Sequence, residues 1–137
     1  MQYRLFLAST LLLAGCAQRL DVPATTQTSA GPDETFECAK KQMAALNYRQ
    51  TSSDVDARRV NGTKIDLESR RPDTQFRRVL NKLEVEVAPQ ADGHTGLKVL
   101  GRTFAEYTTQ RGPTEVEEKP SEEVRNAAQQ LLKQCGS

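Results

Sequence analysis

A single histidine, His94, is present in the 137-residue chain, and it stands in Asp92-Gly93-His94. Acid–base chemistry near neutral pH falls mainly to histidine, and a nucleophile needs such a base within hydrogen-bond reach. No serine or cysteine lies near His94 in sequence, and its glycine-flanked setting reads as a solvated turn. Glu84 and Glu86 share one face of an alternating segment and would hold two carboxylates close together, as general acid–base catalysis uses them. Alternation with Leu83, Val85 and Val87 is explained more simply by the wet side of a half-buried strand. There is no glycine-rich phosphate loop and no metal-ligand spacing. These residues predict a protein that is not an enzyme and uses no cofactor or metal.

Arginine is the more suggestive residue type. Arg58-Arg59, Arg70-Arg71 and Arg77-Arg78 form three pairs within 21 residues. Guanidinium groups suit bidentate contact with carboxylates and phosphates. If residues 70–78 form one loop, Arg70, Arg71, Arg77 and Arg78 would gather into an anion-binding site for a glycan or lipid. The competing reading is a solvated loop balanced by Asp54, Asp56, Glu68 and Asp73. The acidic run Glu115, Glu117, Glu118, Glu122 and Glu123 precedes the last predicted helix. Part of it complements the positive helix end, and the rest is expected to face solvent.

The amino terminus reads as an address. Met1-Gln2-Tyr3-Arg4 carries one positive charge, and Leu5–Leu13 is a short, mostly apolar run. A spanning helix needs about 20 apolar residues, so this run fits the core of a removable export signal over residues 1–15. The segment Leu13-Ala14-Gly15-Cys16 resembles the lipobox of bacterial lipoproteins. That resemblance implies diacylglycerol on the Cys16 thiol, cleavage before Cys16, and a membrane reached through lipid on that residue. Residue 17 is Ala and not Asp, so outer-membrane placement facing the periplasm is expected.

With Arg4 the one charged residue of that signal, the 19 basic and 18 acidic side chains of the chain become balanced in the mature form. Balance and export together argue against nucleic acid as a partner. Cys38 and Cys135 remain, and an even pair in an oxidising compartment reads as a disulfide closing a loop of nearly the whole domain. Free thiols or a two-cysteine metal site are the rival readings; a metal site would need further ligands.

Residues 16–32 read as the lipidated cysteine and a flexible tether, because they offer little to bury. Sixteen flexible residues would span about 20–25 Å on average. Residues 33–137 are long enough for one domain. Asp33 is a plausible N-cap for a helix to about Asn47, with Phe36, Ala39, Met43 and Leu46 on one stripe and Cys38 on its flank. Pro120-Ser121-Glu122-Glu123 supplies a stop, a cap and two acids for a second helix, on which Val124, Ala128, Leu131 and Cys135 share a face before Gly136. Strands are predicted over Tyr48–Ser53, Asn61–Glu68, Leu83–Val87 and Leu97–Thr108. Residues 73–82 fit either an amphipathic helix or an extension of the third strand with one bulge; the extended reading is favoured. The predicted fold is α+β, a four-stranded, largely antiparallel sheet with the N- and C-terminal helices on one face, in the order αββββα.

The passage Ala45-Leu46-Asn47-Tyr48 into a strand, with Asp56–Ile65 beginning the next, resembles domains of small uncharacterised envelope lipoproteins. It is loosely similar to the helix-grip domains of outer-membrane assembly lipoproteins. The expected function is a non-enzymatic, membrane-anchored binding or assembly module with an envelope protein as partner, recognisable by an exposed apolar patch on the open sheet face. The alternatives are a binder of anionic envelope glycan or lipid through the arginines, or a periplasmic enzyme inhibitor.

Overall fold

The segment Leu83-Glu84-Val85-Glu86-Val87 lies at the centre of the structure, a computed structural model that describes residues 23–137. Its alternation places Leu83, Val85 and Val87 on one face, all buried, and Glu84 and Glu86 on the other. The elements in chain order are β1 (Ala24–Thr28), α1 (Pro32–Ala45), β2 (Arg49–Asp54), β3 (Arg59–Asp66), β4 (Phe76–Pro89), β5 (Thr95–Thr109), β6 (Gly112–Glu118) and α2 (Glu122–Cys135). The strands form one six-stranded antiparallel sheet in the order β1-β5-β4-β3-β2, with β6 also paired to β5.

Both helices cover the apolar face. Phe36, Ala39 and Met43 of α1 and Val124, Ala128 and Leu131 of α2 close over Val60, Leu83, Val85, Val87, Leu97 and Val99 in one core. The approach of α1 to β3 is close at Gly62. A Cβ there would lie 2.4 Å from Met43 Sδ, so any larger residue must push the buried Met43 side chain aside. The helix ends where the chain turns left-handed at Asn47 (φ 64°), a position asparagine tolerates. Cys38 and Cys135 form a disulfide that joins the two helices, with Cα atoms 5.7 Å apart.

The α+β class stands, and four departures from the sequence reading are instructive. The sheet has six strands and not four. Residues 24–28, read as tether, form β1: Ala-Thr-Thr-Gln-Thr buries little apolar surface but pairs its backbone with Thr95–Val99 of β5. Thr28 is buried, and the Thr95 hydroxyl donates to the Ala30 carbonyl at 2.7 Å, which fixes the chain's turn into α1. The acidic run contributes β6, whose glutamates stay partly open to solvent, as expected, and also reach basic partners, Lys82, Arg102 and Arg71. The N-cap of α1 is Gly31 and not Asp33, because Pro32 is preorganised for the first helical turn and leaves Asp33 and Glu34 inside it.

The stretch 73–82 is strand from Phe76 onward, with a register shift between Phe76 and Arg78. The helix alternative is thereby excluded, since Val79 and Leu80 lie on opposite faces of β4 and both are buried.

Candidate functional site

The face of the sheet opposite the helices is open. The even-numbered positions of β4 and β5 point there, and the register sets Leu80 beside Phe104, Lys82 beside Arg102 and Arg78 beside Glu106. On β3 the same face carries Asn61, Thr63 and Ile65, opposite Glu84, Lys82 and Leu80. A trough of about 920 Å³ lies on this face toward β2, with Arg49, Thr51, Asn61, Thr63, Arg78 and Lys82 among its walls.

Charge on this face is cross-linked. Arg102 donates from Nε and Nη2 to the two carboxylate oxygens of Glu117, each at 2.8 Å, and reaches Glu84 at 3.3 Å. Lys82 pairs with Glu115. Both cations also lie over the Phe104 ring, 4.4 and 5.0 Å from its centroid, a contact favoured by the ring quadrupole. Glu106 is only 7% exposed, yet two arginines compensate it, Arg78 at 3.0 Å and Arg77 at 3.4 Å. The Arg102 hydrogen bonds, outweighing desolvation, hold the Glu117 carboxyl below the ordinary glutamate range and raise the Arg102 guanidinium above its own.

Two cations of this face, Arg49 on β2 and the exposed Lys98 at the far end of β5, stand outside this network among the described residues, and Arg49 is the one that borders the trough. It is exposed at the β2 end of the trough and forms no ion pair among the described residues. The uncharged groups beside it, on Thr51, Asn61 and Thr63, leave this end of the trough polar and accessible. Leu80, Ile65 and Phe104 are interspersed with charge, so the broad apolar patch by which a docking surface was expected to announce itself is not what this face offers.

The four arginines of the predicted anion site do not gather in one loop. Arg70 and Arg71 lie between β3 and β4, whereas Arg77 and Arg78 belong to β4. Arg70 donates to the backbone carbonyls of Leu67 and Ser69. Arg71 grips both oxygens of Glu118 at 2.5 and 2.6 Å and donates to the Tyr107 hydroxyl at 3.1 Å. Its guanidinium also stacks 5.0 Å from the Phe76 ring centroid, and Phe76 meets Tyr107 edge to face. Three of the four charges are thus committed to internal carboxylates. Sequence reasoning missed Glu106, and it named Glu118 in the acidic run without its pairing to Arg71, because each pairing depends on segments far apart in the chain.

The remaining candidates are placed as follows. His94 is about half exposed in the turn before β5, where its N–H donates to Asp92 Oδ1 at 3.0 Å and Nδ1 lies 3.4 Å from Asp92 Oδ2. That backbone hydrogen bond is the main reason the Asp92 carboxyl sits below its usual range. Glu84 and Glu86 share a face but turn to different arginines, Arg102 and Arg59. Among the described residues no three His, Cys, Asp or Glu side chains gather as a metal site would require, and no helix is long and apolar enough to cross a membrane. Cys16 lies outside the described residues. The domain so defined is an α+β sheet with one helix-covered face and one charged, open face. No protein-family model matches the chain, and no curated protein sequence is significantly similar to it.

Proposed function

We propose that this chain is a membrane-anchored, non-enzymatic binding module of the bacterial cell envelope that holds a protein partner on the open face of its sheet. The observation that carries the reading is the asymmetry of the two faces. One is occupied by two disulfide-joined helices; the other presents a trough of about 920 Å³ with the unpaired Arg49 at its β2 end. A rigid sheet with side chains held by cross-strand ion pairs is preorganised, which lowers the entropic cost of association. Rows of opposite charge suit a polar protein surface of mixed charge, which gains orientation and selectivity from such complementarity.

The anchor in this reading is lipid on Cys16, with the outer membrane and the periplasmic side as the expected address. Because β1 begins at Ala24, seven residues (17–23) separate Cys16 from the sheet. At full extension they reach about 25 Å. The proposed partner is therefore close to the membrane. The anionic glycan or lipid reading stands behind this one, since an anion would have to displace Glu106 or Glu118 from arginines that already hold them.

The test is photo-crosslinking in cells with a reactive residue at Thr63, in the trough, or at Lys41, on the outer side of α1. One recurrent protein adduct formed from Thr63 and not from Lys41, and lost when Arg49 is changed to Glu, is the expected result. Equal adducts from both sites would remove the open face from the proposal. Adducts with glycan or lipid alone, lost on neutralising Arg70, Arg71, Arg77 and Arg78, would replace it with the anion-binding reading.

A further inference from the structure

Each sheet edge of the described domain is managed differently. On one side of the sheet β5 is flanked by two short edge strands, β1 over Thr95–Val99 and β6 over Thr103–Thr109, each paired to β5 alone, with Pro113 interrupting the donors of β6 and only five residues in β1. The opposite edge is β2, which pairs only with β3 and whose six residues are all exposed. An uncovered edge presents a row of unpaired N–H and C=O groups, a template for another strand. Proteins blunt such edges with lysine, proline, short strands or bulges. The strand Arg49-Gln50-Thr51-Ser52-Ser53-Asp54 has neither lysine nor proline, and its one irregularity is the register shift at Thr51.

The charges of this strand are self-complementary. Its two charged residues stand at its two ends, Arg49 first and Asp54 last. An antiparallel copy related by a twofold axis between Thr51 and Ser52 sets Arg49 opposite Asp54 of the second copy, twice. Both residues belong to the open face, since Arg49 pairs with Thr63 and Asp54 with Arg59, neighbours of Lys82 and Glu86 on that face. The shift at Thr51 is what puts them on the same side despite their odd spacing. Neither makes an ion pair within the chain among the described residues, and Asp54 uses only Oδ1, accepting from the Ala57 N–H at 2.9 Å.

We infer that β2 is a self-association edge, through which two copies join by antiparallel β2–β2 pairing with reciprocal Arg49–Asp54 contacts. The contact is isologous and closes as a dimer. It joins the two sheets into one, keeps the helices of both copies on one side, and brings the two troughs together across the twofold axis, because Arg49, Gln50 and Thr51 already line the trough of each copy. This inference commits Arg49 to the second copy and is told apart from the partner reading by the adduct at Thr63: a second copy of this chain there supports self-association, and a different protein supports the partner.

The test uses the full chain in detergent, its protein mass measured by light scattering across a concentration series. The expected species is a dimer. Arg49→Asp sets Asp against Asp54 twice, and Asp54→Arg sets Arg against Arg49 twice; each alone should weaken the dimer about tenfold or more, from two like-charge pairs replacing two opposite ones. Mixing the two variants restores both pairs in the heterodimer, so the mixture should dimerise nearly as the parent does, which a misfolded variant could not achieve. A parent that remains one chain at every concentration overturns the inference. So does a dimer indifferent to both substitutions, or a mixture no tighter than either variant alone.

Discussion

The Ser121 hydroxyl donates to Asn81 Oδ1 at 2.8 Å, so the N-cap of α2 is bonded directly to the middle strand region of the sheet. The same oxygen accepts from the Thr103 hydroxyl at 2.8 Å, and Asn81 Nδ2 donates to Glu123 at 2.9 Å. Ser121 in turn accepts from the Val124 N–H, and its own N–H donates to Thr103 Oγ1. Asn81, only 1% exposed, thereby satisfies groups from β5 and from the cap and first turn of α2. Asn81→Leu strands those partners, and each unsatisfied buried group costs about 1–3 kcal/mol. Urea unfolding should show a loss of that order, with hydrogen exchange fastest at the first turn of α2. Unchanged stability would mean that water replaces the amide without penalty.

The disulfide links cysteines separated by 97 positions. On the chain-entropy model, closing a loop of that length stabilises the fold by about 4–5 kcal/mol at most. The Cys38→Ser/Cys135→Ser double variant should unfold at clearly lower urea than the parent, and reductant should move the parent toward the variant. Coincident curves in all three conditions would contradict this account of how α1 and α2 are held.

Glu118 and Glu117 predict the acid limb of stability. The hydrogen bonds from Arg71 and Arg102 respectively, the largest influence on each, hold both carboxyls below their ordinary value of 4.5. A carboxylate with a depressed folded pKa adds stability that is complete above its unfolded value and is lost as pH falls through the folded one. Melting temperature should therefore hold down to about 4.5 on account of these groups and fall below it. Glu118→Gln should be less stable than the parent at pH 7 and lose less below that point. Parallel profiles for the two proteins would show that the Arg71 pair contributes nothing to the acid limb.

Gly62 predicts a packing limit. The absent Cβ would stand 2.4 Å from Met43 Sδ and 3.2 Å from Tyr48 Cβ. Both neighbours are buried, Met43 at 1% and Tyr48 at 3% exposure. Gly62→Ala should cost about 1–3 kcal/mol by overpacking, measured by thermal or urea unfolding. Combined with Met43→Ala the two losses should be less than additive, because the second removes what the first collides with. Strict additivity would place the strain elsewhere.

Much of this architecture was legible in the chain because it is written in local periodicity. The stripe Phe36, Ala39, Met43 and the face Val124, Ala128, Leu131 follow from the helical repeat, and each is buried where that repeat puts it. Alternation over Leu83–Val87 identifies a strand with one wet side, since successive strand residues must point to opposite faces. The nearness of Cys38 and Cys135 follows from two helices laid on one sheet, each with a cysteine on or beside its inner face.

What the residues could not announce is anything held together by a partner distant in sequence. Strands β1 and β6, Ala-Thr-Thr-Gln-Thr and Gly-Pro-Thr-Glu-Val-Glu-Glu, bury few apolar groups and carry no strong period. They exist because β5 offers them an unpaired backbone edge, which is a property of the assembled sheet. The arginines behave alike: whether Arg71, Arg77 and Arg78 are free for an anion depends on Glu118 and Glu106, brought within reach only by strand register. Sequence alone determined the class of fold, the two helices and the cysteine pair, because side-chain periodicity acts over a few residues. Tertiary structure alone decided the number of strands, the partner of each charge and which strands became edges, because hydrogen-bond and ion-pair complementarity is satisfied only after the chain has closed on itself.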